Sequence, residues 1–245
     1  MNFSTIIMTY HGNKELWKPL KSLIYKNFPS NFPFDYIYLC SDKIISERIF
    51  NFNFFNESSW IQRLKLLLLE IKSEYILLLL DDYFPLEKTN PSYFNLIIDF
   101  IKNNKPNYLR VINNPFLLSF TKISKINSTS NYQLNLQPSF WNVSFLIKII
   151  NDYEMNPWQF EKFLLNESSH KTNLFFYNSN LFQIHNGLLR GEWFPKTYKL
   201  LLNNGYFSST SKKKLSKIDY FIYNFKSLFF LIVPLFLKKI IRYFS

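Results

Sequence analysis

A chain of 245 residues has room for one large domain, or one domain with an appendage, and can bury a sizeable core. Hydrophobic residues at 47% and aromatic residues at 20%, against 19% charged, exclude a disordered or collagen-like polymer. The formal charge of +12 invites an anionic partner, and where along the chain it collects decides which one.

Phe3 to Thr9 is a short apolar run that predicts a strand. The residues before it lack the cationic start and apolar stretch of a secretory signal, so a cytoplasmic location is expected. Glu15 to Tyr25 fits a helix and Tyr36 to Cys40 a second strand, a spacing that resembles a β-α-β unit. Cys40 is the single cysteine, so no internal disulfide forms, and its plain reading is a small buried strand residue. Trp60 to Ile71 carries a helical apolar stripe and leads into Tyr75-Ile-Leu-Leu-Leu-Leu80, apolar throughout as a strand covered on both faces is. A helix over Ser92 to Lys102, a strand over Tyr108 to Ile112 and a helix over Phe145 to Asp152 follow, while Asn113 to Leu136 reads as loops or short hairpins. Alternating elements of this kind predict an α/β layer architecture.

The end of the chain differs. Phe207 to Ser245 holds eight basic residues against one acid, a net of +7, more than half the total. Ile218, Phe221, Ile222, Phe225, Leu228, Phe229 and Ile232 recur at helical spacing, and Leu228 to Leu237 carries no charge. Ten helical residues cover about 15 Å, half of a bilayer's hydrocarbon core, so this stretch is too short to span. A basic, Phe-rich amphipathic helix fits the surface of an anionic membrane, and the plain alternative is a core helix with a solvated basic end. The charges gather beside Phe and Leu rather than along a groove, which argues against nucleic acid.

The densest chemical signal is Leu80-Asp81-Asp82-Tyr83-Phe84, two carboxylates at the carboxyl end of an apolar strand, where open α/β sheets bind ligands. Paired Asp there meets solvent, a basic partner or a divalent metal, and Mg²⁺ or Mn²⁺ on a diphosphate uses one or two such oxygens. Arg63, on the preceding helix with Trp60 on the same face, can reach a nucleotide phosphate bidentately. In Asn156-Pro-Trp-Gln-Phe-Glu161 the Asn caps a helix and the Pro occupies its first position, which places Glu161 early in that helix beside aromatic surface. A carboxylate in such surroundings suits a general base; otherwise it is a structural helix start. His185 stands in a segment with Arg190, Trp193 and two of the four glycines, a loop that can close on an anionic ligand with His185 as a metal ligand or phosphate contact. The Gly-rich phosphate loops, the dinucleotide fingerprint, His-Glu-x-x-His and paired Cys are all absent.

Taken in order, Thr9-Tyr10-His11, Trp60-Ile-Gln-Arg63-Leu, Tyr75 to Phe84, Gln137-Pro-Ser-Phe-Trp141-Asn, Asn156 to Glu161 and His185 to Gly191 resemble a group of bacterial GT-A-type glycosyltransferases of surface polysaccharide and lipooligosaccharide assembly. The resemblance covers residues 1 to 205 and implies a Rossmann-like mixed sheet sandwiched by helices, as domain 1–206; it does not cover the tail, 207–245, which the charge and spacing above make a membrane-associating amphipathic segment. It implies a nucleotide-sugar donor bordered by Thr9, Tyr10, His11, Asp42, Arg63 and Asp81. It also implies Mn²⁺ or Mg²⁺ on Asp82 and Asp81 with His185, although the motif here is Asp-Asp-Tyr rather than Asp-x-Asp. Glu161 becomes the base that deprotonates an acceptor hydroxyl, with Glu154 in reserve, while Trp141, Trp158 and Arg190 border the acceptor or stack a sugar.

The activity so implied is transfer of a sugar to a glycolipid or polysaccharide acceptor at the inner face of the plasma membrane, by a metal-dependent, inverting enzyme. The alternatives are a noncatalytic binding protein of the same shape and a metal-dependent nucleotidyltransferase.

Overall fold

The structure, a computed structural model, describes residues 2–42, 51–54, 59–113, 117, 119–127, 133–150, 153–166, 172–207 and 210–223. The chain forms two compact units, Met1–His185 and Asn186–Ser245. The first opens with β1 (Phe3–Met8), α1 (Lys14–Asn27), β2 (Ile37–Ser41), β3 (Asn51–Phe54), α2 (Trp60–Glu70), β4 (Tyr75–Leu80) and β5 (Tyr83–Pro85). It continues with α3 (Pro91–Asn104), β6 (Tyr108–Arg110), β7 (Ile123–Lys125), β8 (Ser139–Asn142), α4 (Val143–Ile150), α5 (Pro157–Asn166), β9 (Leu174–Tyr177) and β10 (Ile184–Asn186).

Eight strands make one mixed sheet in the order β3-β2-β1-β4-β8-β6-β9-β7. β1 lies parallel to β2 and β4, and β2 to β3, with Met8 opposite both Cys40 and Leu80. β8 is antiparallel to β4 and to β6, so β6 runs in the direction of β4, and β9 runs parallel to β6. The order 3-2-1-4 of the parallel half is the doubly wound, mononucleotide-binding arrangement, whose ligand crevice lies beyond the carboxyl ends of the strands. With helices flanking this mixed sheet, the α/β architecture expected from the sequence is the one observed.

The apolar run explains why β4 is central. Tyr75 to Leu79 are at most 1% exposed, as a strand covered on both faces must be. Ile76 and Leu78 join Ile6, Met8 and Cys40, the α2 residues Trp60, Leu64 and Leu67, and Phe160 and Leu164 of α5 in one core. Burial pushes the Cys40 thiol up to about 12, so the single cysteine is an inert core residue. The capping signal of α5 is realised in full: Asn156 Oδ1 accepts from the Gln159 N–H, and Gln159 Oε1 accepts from the Asn156 N–H, both at 2.9 Å. Pro157 follows at the first helical position, so the helix that carries Glu161 starts where its sequence dictates.

Trp141 is corrected. Its indole is fully buried, packs edge-on against Tyr108 at 4.5 Å between centroids, and donates from Nε1 to Ser139 Oγ at 2.8 Å. β8 enters the sheet between β4 and β6, so this residue is core and has no face to offer a sugar.

The second unit begins earlier than the expected tail. β11 (Leu188–Leu189) and β12 (Glu192–Trp193) form a hairpin, followed by α6 (Pro195–Asn203). Positive φ at Arg190 (52°) and Gly191 (82°) gives its turn the hand that suits strand twist. Buried Trp193 organises the unit: its N–H donates to Lys213 O (2.8 Å), its carbonyl accepts from the Leu215 N–H (2.9 Å), and its indole donates to Thr210 Oγ1 (2.9 Å). Residues 186–206 therefore fold with the segment that follows them. Among the described residues no helix is long and apolar enough to cross a membrane. Residues 217–223 are helical, with Ile218 71% and Phe221 69% exposed, while 224–245, the greater part of the expected amphipathic tail, and His170 lie outside the described residues.

Candidate functional site

Because β1, β2 and β4 are parallel and in register at Met8, Cys40 and Leu80, the residues that follow them meet at one edge. Thr9 donates its backbone N–H to Cys40 O at 2.9 Å and its hydroxyl to Asp81 Oδ2. Trp17 of α1 donates Nε1–H to Thr9 Oγ1 at 2.7 Å, and Asn13 Nδ2 donates to Asp81 Oδ1 at 3.1 Å. Asp42, after β2, accepts from the His11 N–H at 2.6 Å and from Ser41 Oγ at 3.2 Å. Thr9, Tyr10, His11, Asp42 and Asp81, expected near one another from the resemblance, are thus neighbours in space.

Tyr10 lies over this edge, 46% exposed, and its ring crosses Gly12 so closely that a Cβ there would come within 2.3 Å of Cε2. Burial, reinforced by the carboxylates of Asp81 and Asp42, pushes its phenol up, so it stays a neutral hydrogen-bonding group. His11 Nδ1 and Asn13 Oδ1 are buried without a hydrogen-bond partner in the protein. Buried polar groups are nearly always satisfied, so these two atoms call for water or a polar ligand at this edge.

The acid pair divides its work. Asp81 is 5% exposed and holds Thr9 and Asn13, whereas Asp82 is half-buried in the turn before β5. Replacing Asp81 by Ala takes the acceptor from Asn13 Nδ2, while the Thr9 hydroxyl keeps Tyr10 O at 3.3 Å. The substitution is expected to lower stability by about 1 to 3 kcal/mol in a denaturant melt. Among the described residues no three of His, Cys, Asp and Glu gather into a metal cage, so His185, half-buried in β10, does not complete one with the pair. Two adjacent carboxylates with no third protein ligand fit a Mg²⁺ or Mn²⁺ ion that shares its coordination with substrate phosphates and water. Asp82, the more exposed of the two, is the residue suited to hold it.

Glu161 is linked to the side chain of Tyr83 through one peptide. Its Oε1 accepts from the Leu136 N–H at 2.9 Å, while Leu136 O accepts from Tyr83 Oη at 3.3 Å, one residue beyond Asp82. Burial pushes the Glu161 carboxyl up, and the Leu136 hydrogen bond opposes this only in part. The docking of α5 makes this possible: Ile61 N–H donates to Met155 O at 3.2 Å, Gln62 Nε2 donates to Tyr153 O at 2.6 Å, and Trp60 packs on Phe160. Arg63 is buried on α2, with its carbonyl 3.8 Å from Cys40 Sγ at the end of β2. Glu154 is exposed in the loop before α5, and Trp158, 71% exposed, keeps a free aromatic face. Arg190 is exposed at its hairpin tip in the other unit.

One residue escapes the sequence reading. Arg110, at the carboxyl end of β6, is fully buried opposite Ser139, and burial lowers its guanidinium pKa. Arg110 and Glu161 both act on the Tyr108 hydroxyl, with opposite sign, while burial pushes that phenol up to about 12. The available signal was a lone charge inside Tyr-Leu-Arg-Val-Ile, which the neighbouring strands enclose.

No family model matches the chain, and no curated protein does. Solved structures are similar to it at low identity. S. aureus TarS 1–349 is similar at TM-score 0.45 and 14% identity over 72% of this chain and 60% of that one. The same protein in complex with UDP-GlcNAc gives 0.44 and 13% over 82% and 64%. A cytidylyltransferase from Leptospira borgpetersenii serovar Hardjo-bovis gives 0.47 and 14% over 92% and 94%. The chain spans less than two thirds of the TarS 1–349 length.

Proposed function

We propose that the chain is a glycosyltransferase that moves a sugar from a nucleotide-sugar donor to a hydroxyl of a glycolipid or polysaccharide, with Mn²⁺ or Mg²⁺ held at Asp82. The observation that supports this reading is a carboxylate of raised pKa, Glu161, linked through the Leu136 peptide to the side chain of Tyr83, the residue after the acid pair. Glu161 takes the proton of the acceptor hydroxyl as its oxygen bonds to the anomeric carbon. The bond from that carbon to the diphosphate breaks, and the nucleoside diphosphate leaves with the electron pair. A divalent cation, when bound, supplies charge neutralisation for the departing diphosphate. Asp81 fixes Thr9 and Asn13 beneath the nucleoside, Tyr10 covers it, and Trp158 offers a face to the acceptor sugar.

Nucleotidyl transfer to a sugar phosphate has less use for this arrangement, because a phosphate nucleophile is already ionised near neutral pH and needs no base. The two reactions differ in product. With Mn²⁺ and a panel of UDP-, GDP- and dTDP-linked sugars, release of free nucleoside diphosphate is expected from one donor. Pyrophosphate release from a nucleoside triphosphate and a sugar phosphate would replace it by nucleotidyl transfer.

An acceptor carried on an anionic membrane surface is supported by exposed Ile218 and Phe221 in a segment that also holds Lys212, Lys213 and Lys217. Ile218→Asp combined with Phe221→Asp is expected to lower sedimentation with phosphatidylserine vesicles at least about tenfold without changing the melting temperature, since each buried apolar side chain contributes about 1.5–3 kcal/mol.

A further inference from the structure

A cavity of about 830 Å³ opens at the edge opposite the acid pair, where β1, β2 and β4 begin. The length of β4 separates the two edges by about 17 Å at about 3.3 Å per residue. The cavity size is that of a small-ligand site, roughly 300–1,000 Å³.

Its surface mixes two chemistries. Phe3, Phe94 and Phe140 give it an aromatic floor, with Tyr38 half-buried and Tyr36 55% exposed at the mouth. Around them stand amides and charges. Asn31 Nδ2 donates to Asn95 Oδ1 at 2.7 Å across one side, Glu70 and Lys72 flank the end of α2, and Asp99 and Lys102 project from α3. Two acids against two bases leave the rim without net charge, which disfavours a nucleotide or a free phosphate. An acyl chain would strip water from these polar groups and return no hydrogen bond. A ligand with apolar C–H faces and many hydroxyls satisfies both parts, the faces against Tyr36 and Tyr38 and the hydroxyls against Asn, Asp and Lys groups that donate and accept.

We infer that this cavity is a saccharide-binding site for a neutral oligosaccharide segment, separate from the transfer site and independent of metal and nucleotide. It shares no residue with the acid pair, so it stands whether or not the transfer reading does.

The test is capture of the full chain on an array of neutral and acidic glycans, without metal or nucleotide. Neutral glycans are expected to bind, with retention falling at least about tenfold in Tyr36→Ala and in Asn95→Leu, both exposed positions whose variants melt like the parent. Asp82→Asn is expected to bind as the parent does, which separates this site from the transfer reaction. Absence of neutral-glycan binding, a preference for acidic glycans, or undiminished binding by both cavity variants overturns the inference.

Discussion

Asp82→Asn is expected to lower metal-dependent sugar transfer by about 10³-fold while the protein melts as the parent does. The magnitude follows from charge neutralisation of the leaving diphosphate, worth several kcal/mol at about 1.36 kcal/mol per factor of ten. Asp82 is half-buried in a turn, and Asn keeps the size of the side chain and an acceptor oxygen, so the substitution removes the charge with little change of structure. Asp81→Ala gives the complementary result, a loss of stability together with activity. Steady-state rates set beside thermal melts for the two variants separate the roles, and equal behaviour of both in both assays would refute the division.

Glu161→Gln carries the second large effect, a fall of about 10²–10⁴ in turnover with donor affinity unchanged. The Gln Oε1 can keep the acceptor position for the Leu136 N–H, so the helix stays docked. The pH dependence has a definite sign. Burial raises the Glu161 pKa, so turnover rises with pH as the carboxylate forms through that raised value, and this limb disappears in the Gln variant. Stability runs the other way. The folded state holds this proton more tightly than the unfolded chain, so the contribution is fully present below the unfolded carboxyl pKa and is lost as pH rises through the folded value. Above that window Glu161→Gln should melt at or above the parent, the mark of a residue kept for function at a cost in stability. Melting curves across pH paired with turnover profiles check both statements.

The parallel half-sheet was legible because its signals are local. An unbroken apolar run marks β4, a 3.6-residue stripe marks α2, and Asn156 with Pro157 marks the start of α5. Asp81, Asp82 and Glu161 could be singled out because each lies next to such a signal. β8 was not legible as a strand, because Ser-Phe-Trp-Asn is short and becomes central only by insertion between β4 and β6. Trp141 therefore looked available when it is core. Arg110 was passed over for the same reason, since its burial comes from β8 and β9, segments distant in sequence. The cavity at the opposite edge is assembled from strand starts, the end of α2 and one face of α3, and no single stretch announces it. The boundary between units shifted because Trp193, far from any periodic run, binds the backbone at Lys213 and Leu215.

The central claim is that the carboxyl edge of β1, β2 and β4 holds a nucleotide diphosphate together with a divalent cation. Calorimetric titration of the full chain with UDP, GDP, dTDP and CDP, with and without Mn²⁺, addresses it directly. One nucleotide is predicted to bind at least about tenfold more tightly with Mn²⁺, and Asp82→Asn is predicted to abolish that gain. Affinity that ignores Mn²⁺, a gain that survives Asp82→Asn, or no nucleotide binding at all would contradict it.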